Sequence, residues 1–189
     1  MKPTVTLCMI VKDESHIIEE CLRSMAKYVD RYDITDGTPE LIEKVMDELG
    51  VPGKVYLSDW KGFGDHGNRI GSRTESFHNA EEGGADYAWV IDADDYIEGD
   101  FKYPENMDAD GYTLFINRGD FSWWRNQIFK LSLGWRYVGI LHEYADATKK
   151  DNPGFVKIAG DYRVQARTEG ARNVGIDAKE KYSRDAEVL

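Results

Sequence analysis

The chain has 189 residues, 41% of them hydrophobic and 31% charged, with 24 basic against 35 acidic side chains and a net charge of −11. This composition excludes a disordered chain and suits one globular domain with a single core, while an acidic surface without a basic stripe argues against a nucleic-acid partner. No apolar run approaches the roughly 20 residues that span a bilayer, so no transmembrane segment is expected.

Thr4–Val11 is β-branched and apolar on both faces and predicts a buried strand. The polar run Lys12-Asp13-Glu14-Ser15 ends it, with Ser15 as the expected N-cap of a helix in which Ile17, Ile18, Cys21, Leu22 and Met25 share a face. Asp36-Gly37-Thr38 reads as a turn. Pro39 opens a second helix, with Leu41, Ile42, Val45, Met46 and Leu49 on one side, and Gly50–Gly53 stops it. Lys54–Leu57 is a short strand. Residues 59–71, with glycines at 62, 64, 67 and 71 beside Trp60, Phe63 and His66, form a long exposed loop. Ser72–Glu82 is helical and leads into a strand over Tyr87–Ile91. Beyond Asp100, shorter strands are expected at Tyr112–Ile116, Gln127–Leu131, Val156–Ile158 and Tyr162–Gln165, and a charged helix at Asp177–Leu189. The alternation of strand and helix in the front half predicts an α/β fold, a mostly parallel sheet flanked by helices, with a smaller β-rich back half sharing one core.

The most telling segment is Asp86–Asp95, an apolar strand that empties into Asp92, Asp94 and Asp95. Ligands of open α/β sheets bind outside the carboxyl ends of the strands. Crowded carboxylates repel unless a cation or donors balance them, and a hard divalent cation that also holds a diphosphate would do so. Two other readings are a solvated acidic turn and a calcium loop. The calcium loop wants Gly at its sixth position and Glu at its twelfth, where this chain has Ile97 and Tyr103. Cys8 and Cys21 lie in a predicted strand and a predicted helix and read as packed thiols of a reducing compartment, which with no signal peptide in Met1–Lys12 predicts a cytoplasmic protein.

In order, Thr6–Ser15, Thr35–Glu40, Arg73-Thr74, Asp92-Ala93-Asp94, Trp135–Tyr144 and Gly170-Ala171-Arg172 resemble the motifs of family 2 glycosyltransferases of the GT-A fold, in the bacterial and phage branch often followed by helical repeats. The resemblance implies a single GT-A domain over 1–189, with a nucleotide-binding half (1–100), an acceptor half (101–176) and a terminal helix (177–189). It implies an inverting, metal-dependent transfer of a sugar from a nucleotide-sugar, a UDP-sugar, to a hydroxyl on a glycan, lipid or protein, with Mn²⁺ or Mg²⁺ as cofactor. By the same resemblance Glu143 is the catalytic base and Asp94 the metal ligand. Val11, Asp13, Glu14, Asp36, Arg73, Asp92 and Ala93 would line the nucleotide. A Glu among Trp135, Tyr137 and Tyr144 would have a raised pKa, which suits a base. Trp124 and Trp135 are candidate walls for the donor sugar or acceptor, and Arg172 is a candidate lid residue over the phosphates.

The sequence departs from the family pattern in three places. The first half of the second motif is missing, which leaves Asp33 as the candidate replacement for the uracil-facing aspartate. Residues 65–71 read as an insertion, with Ser72 in place of an Asn. Thr168 stands where the family carries a late metal-binding histidine, which points to His142 as a further metal ligand. Two competing readings are a nucleotidyltransferase acting on a sugar phosphate, which would normally show a Gly-rich phosphate loop at its first strand, and an inactive sugar- or nucleotide-binding module.

Overall fold

The computed structural model describes residues 2–36, 39–139 and 143–168, so the expected helix over 177–189 lies outside the described residues. Four parallel strands, β1 (Val5–Ile10), β2 (Arg31–Asp36), β3 (Gly53–Leu57) and β4 (Tyr87–Val90), form one side of the central sheet. From β1 the chain steps outward through α1 (Ile18–Met25) to β2 and through α2 (Glu40–Glu48) to β3. It then crosses back through α3 (Ser72–Gly83) to place β4 on the other flank of β1. The sheet continues through β7 (Phe121–Lys130), antiparallel to β4, then β6 (Gly111–Arg118), β11 (Tyr162–Gln165) and β5 (Tyr96–Gly99). A short strand, β10 (Phe155–Lys157), also pairs with β6, and β8 (Trp135–Val138) with β9 (Tyr144–Ala147) makes a separate two-stranded ribbon. The result is a mixed α/β fold with a large, mostly parallel sheet flanked by helices, as the sequence predicts.

Each face of the sheet has its own apolar layer. On one face Leu7, Met9, Tyr32, Ile34 and Trp89 pack against the inner stripes of α1 and α2, and Ile18, Leu22, Met25, Ile42, Val45 and Met46 form those stripes. On the other face Cys8, Ala88, Val90 and Phe129 meet Phe77 and Ala80 of α3 and Trp135 of the ribbon. Strand β1 is therefore apolar on both sides because both sides are covered. Trp89 is wholly buried, with its ring 4.7 Å from that of Phe101, and fixes the point at which β4 leaves the sheet. Truncating so large a core side chain costs about 3–5 kcal/mol.

Several boundaries differ from expectation. Ser15 does not cap α1: the helix starts at Ile18, and the backbone N–H groups of Ile17 and Ile18 donate to the Glu14 carbonyl. The cause is Asp13, whose φ of 58° turns the chain sharply just past β1. Strand β7 starts at Phe121, six residues ahead of the expected Gln127, because its first half is only partly covered and lacks a continuous apolar signal. Strands β5, β8 and β9, of four residues each, are not among the expected strands.

Candidate active site

Strand order reverses at β1: the chain first builds toward β2 and β3, then returns to add β4 on the opposite flank. The carboxyl ends of β1 and β4 therefore flank a topological switch point, where α/β sheets bind ligands. Past β4, burial alternates. Ile91, Ala93 and Asp95 point inward, Asp92 and Asp94 are half-buried, and the turn closes with the Asp95 N–H donating to the Asp92 carbonyl at 3.0 Å. Ala93, expected at the nucleotide, is thus a core residue beneath the turn.

Two arginines reach the carboxylates of this turn and Glu143. Arg73, from the first turn of α3, donates to Asp92 Oδ1 at 2.9 Å and to Glu143 Oε1 at 3.1 Å. Arg125, from β7, donates to Asp92 Oδ2 at 3.3 Å and to Asp95 Oδ2 at 3.1 Å. The groups form one chain, Glu143–Arg73–Asp92–Arg125–Asp95, with three carboxylates against two guanidinium groups. Burial works against the charged form of Arg73, but Asp92 and Glu143 outweigh it and raise its pKa further above the usual range. Burial would likewise raise the Asp92 pKa, but the two guanidinium groups pull it below the usual carboxylate range. Asp95 goes the other way: burial, then the neighbouring Asp92 charge, push it up to about 7 despite Arg125. The aspartates flanking this turn share one guanidinium, yet burial and the Asp92 charge shift Asp95 up while the two arginines shift Asp92 down.

Arg73, Asp92, Arg125 and Glu143 line a cleft of about 440 Å³ whose other walls include Trp124, Phe129, Tyr137 and Tyr144. Tyr137 stacks on Phe77 with ring centroids 5.4 Å apart, and the Arg73 guanidinium lies 5.5 Å from the Tyr137 ring centroid and equally far from that of Phe63. The loop ahead of α3 fixes the approach to Glu143. Asp65 N–H donates to the Tyr137 carbonyl at 2.6 Å, and Gly139 N–H donates to the Asp65 carbonyl at 3.2 Å. Gly64 is required there, because a Cβ would lie 2.4 Å from the Gly139 carbonyl oxygen.

The structure thus brings together Arg73, Asp92, Glu143 and Trp124 of the residues singled out in the sequence. Glu143 lies on a guanidinium, not among aromatic faces alone. Val11 is buried at the end of β1, its N–H donating to the Thr35 carbonyl, while Asp13 is exposed and Glu14 half-buried just beyond it. Asp94 sits beside Asp92 on the same turn, its carbonyl accepting from Arg167 Nε at 2.7 Å. His142, Arg172 and the side chain of Asp36 lie outside the described residues.

Two expectations are corrected. Trp135 is not a sugar wall: it is 1% exposed, its Nε1–H donates to the Lys130 carbonyl at 2.8 Å, and its ring packs between Phe129 and Phe155. Asp33 does not face a base, because it is wholly buried and held by Arg31, Thr6 and Tyr56. Sequence reasoning missed Arg125 and Asp95 as members of the charged chain. The signal for Arg125 was hidden by a bulge between Tyr112 and Thr113 of β6 and their β7 partners, which makes Gln127 the extra residue and shifts the face that Arg125 presents.

The chemistry of the donor set decides whether a divalent cation fits. Among the described residues no group of three His, Cys, Asp or Glu side chains is arranged to hold a metal ion. Ions such as Mg²⁺ are commonly held by one or two carboxylates together with substrate phosphates and water, so a preformed cage is not needed. Within the charged chain, carboxylates outnumber guanidinium groups, so the chain has no surplus positive charge for a diphosphate. An added dication next to Asp94 would provide it.

No protein-family model matches the chain, and no curated protein matches it in sequence. Solved structures do resemble it. The structure of residues 1–349 of S. aureus TarS in complex with UDP-GlcNAc superposes with a TM-score of 0.57 at 11% identity, over 93% of this chain and 62% of that one. The complex of the same TarS segment with UDP gives 0.54 at 12% identity, over 98% and 70%. A further TarS structure gives 0.52 at 11% identity, over 98% and 43%. The chain therefore spans about three fifths of the first of these structures, and the likeness supports a glycosyltransferase fold. Among the described residues, no helix is long and apolar enough to cross a membrane.

Proposed function

We propose that this chain is an inverting glycosyltransferase that moves a sugar from a nucleotide-sugar, a UDP-sugar, to a hydroxyl acceptor. The observation that carries this reading is the chain Glu143–Arg73–Asp92, which lines a cleft at the sheet's switch point. The fold supports it, since the TarS segment it resembles was solved with UDP-GlcNAc and with UDP. The two unpaired, buried thiols, Cys8 and Cys21, suit a reducing compartment, and we read the protein as cytoplasmic.

Inverting transfer needs an acceptor oxygen that loses its proton as it attacks C1 on the side opposite the leaving diphosphate. The Glu143 carboxylate takes that proton, and Arg73 Nε, donating to Oε1, holds it in one orientation. The bond from the acceptor oxygen to C1 forms as the bond from C1 to the phosphate oxygen breaks, and the electron pair leaves with the diphosphate. Asp92 keeps Arg73 and Arg125 in place from the opposite side. Trp124, half-buried at the cleft wall, offers a ring face to a sugar. Asp94 would hold Mn²⁺ or Mg²⁺ beside the diphosphate, where a bound dication supplies charge neutralisation for the leaving group. The acceptor is a glycan, lipid or protein hydroxyl.

The test is a panel of nucleotide-sugars with Mn²⁺, reading free UDP. The expected result is UDP release that requires metal, is lost on Asp94→Ala, and falls steeply on Glu143→Gln while UDP binding survives. Absence of UDP binding in the wild-type chain would overturn the reading, as would loss of UDP affinity in the Glu143→Gln chain for the base assignment.

A further inference from the structure

The Tyr137 hydroxyl is used neither by the charged chain nor by the packing around it. Tyr137 lines the cleft from β8, and its ring packs at the edge of the apolar layer that holds Phe77, Val90 and Phe129. Helix α3 fixes it from three positions. Phe77 stacks on the ring with planes 10° apart, the Arg73 guanidinium lies over the ring, and Thr74 Oγ1 accepts from the Tyr137 N–H at 2.8 Å. Positions 73 and 77 are neighbours one turn apart on the helix, so both ring contacts come from one face of α3. A ring this confined sets the position of its hydroxyl before any ligand arrives.

That hydroxyl has no hydrogen-bond partner among the described residues, where the residue's hydrogen bonds all run through its backbone. Its electrostatic neighbours are Arg73, Arg125 and Asp92. Burial pushes the phenol up to about 12 against the pull of the two guanidinium groups, so it stays neutral. A tyrosine ring packed in a core ordinarily finds a partner for its hydroxyl, and a cleft residue without one has a place for a partner carried by the ligand.

The location and the chemistry narrow that partner. Glu143, where the acceptor loses its proton, and Tyr137 both lie against Arg73, whereas Asp94, on the diphosphate side, follows Asp92 on the turn. The part of a donor between these two ends is the sugar being transferred. Phosphate oxygens only accept hydrogen bonds, while a sugar hydroxyl both donates and accepts, as a neutral phenol does.

We propose that the Tyr137 hydroxyl hydrogen-bonds the transferred sugar of the donor and is a specificity-determining group of the cleft. The inference rests on the nucleotide-sugar reading and adds to it a residue that recognises the sugar and not the nucleotide. A cleft built to pair a sugar hydroxyl selects against donors that lack it, because the protein's own hydroxyl is then left unpaired.

The test uses Tyr137→Phe, which keeps the ring, its stack on Phe77 and its contact with Arg73, and removes only the oxygen. The full chain is titrated calorimetrically, with Mn²⁺, against UDP and against UDP-glucose, UDP-galactose and their N-acetyl forms. For the donor that the wild type binds most tightly, the variant is expected to bind about 3- to 10-fold more weakly, as loss of one hydrogen bond predicts, with UDP affinity unchanged. Its melting temperature is expected to equal or exceed that of the wild type, since no bond within the fold is lost. Donor binding equal to the wild type overturns the proposal. An equal weakening of UDP overturns it too, since the hydroxyl then serves the nucleotide or the shape of the cleft. A lower melting temperature with unchanged donor affinity assigns the hydroxyl to the fold and overturns it as well. A wild-type chain that binds neither UDP nor any of the four donors overturns the transferase reading itself, whereas donor binding insensitive to the oxygen of Tyr137 overturns this contact alone.

Discussion

Two carboxylates, both paired with arginine, divide this molecule into scaffold and site. Asp33, in the middle of β2, is wholly buried and accepts from Thr6 Oγ1 at 2.7 Å, from Arg31 Nε and a second Arg31 nitrogen at 2.8 Å each, and from Tyr56 OH at 3.3 Å. The end of α3 closes so tightly over it that a Cβ on Gly83 would lie 2.4 Å from Asp33 Oδ2. Asp92, at the exit of β4, has a side chain 35% exposed and two guanidinium partners, each shared with another carboxylate. A carboxylate saturated by local donors does nothing but hold the fold. A carboxylate that shares its donors and opens on a cleft holds other groups in position and can rearrange when a charged ligand enters.

The sharpest test of this division is to remove function without removing structure. Glu143→Gln is expected to lower turnover by about 10²- to 10⁴-fold, the usual range for a lost general base, with thermal unfolding nearly unchanged. Steady-state UDP release together with a melting curve checks both halves. Asp33→Ala is the mirror image. It leaves the Arg31 guanidinium without its partner, and breaking a buried pair from one side costs about 3–5 kcal/mol. Denaturant unfolding should register that loss, while the protein that remains folded turns over at close to the wild-type rate. A stable but inactive Asp33→Ala protein would break the comparison.

Asp92→Asn falls between the two. It weakens two charge-assisted hydrogen bonds at a partly exposed site, so kcat/KM is expected to fall about 10- to 100-fold. Its effect on stability should stay below about 1 kcal/mol, because solvent screens a pair this open. A larger loss of stability than of activity would move Asp92 into the scaffold.

The same division explains what the sequence revealed. Strands β1 and β4 and helices α1 and α2 were legible because covered elements leave a strong apolar pattern. The acidic exit of β4 was legible because three aspartates follow that pattern directly. Arg73, Asp92 and Glu143 were each singled out, but the bridge joining them crosses 19 and 70 positions and exists only in the folded chain. Arg125 stayed hidden, since its side of β7 depends on one bulged residue. Trp135 shows the opposite error. An isolated tryptophan reads equally well as wall or filler, and only the placement of its ring between Phe129 and Phe155 decides for filler.

The smallest effect tests whether the charged chain contains both kinds of carboxylate. Burial and the Asp92 charge raise Asp95 to about 7, against about 3.9 for an unfolded aspartate. Between those values the folded chain holds a proton that the unfolded chain has released. The stability this contributes is complete below pH ~4 and is lost as pH rises toward ~7, at no more than about 1.4 kcal/mol per pH unit. Asp92 has the opposite sign: its lowered pKa gives stability that is present above pH ~4 and lost as the solution becomes more acidic. With a chelator present to keep cations from the neighbouring Asp94, wild-type stability relative to Asp95→Asn should decline from pH 5 to 7 and level off above. The check is urea unfolding at half-unit pH steps. Parallel curves for the two proteins would mean that Asp95 is ionised throughout, held by Arg125 as firmly as Asp92 is, and the site would then consist of one kind of carboxylate rather than two.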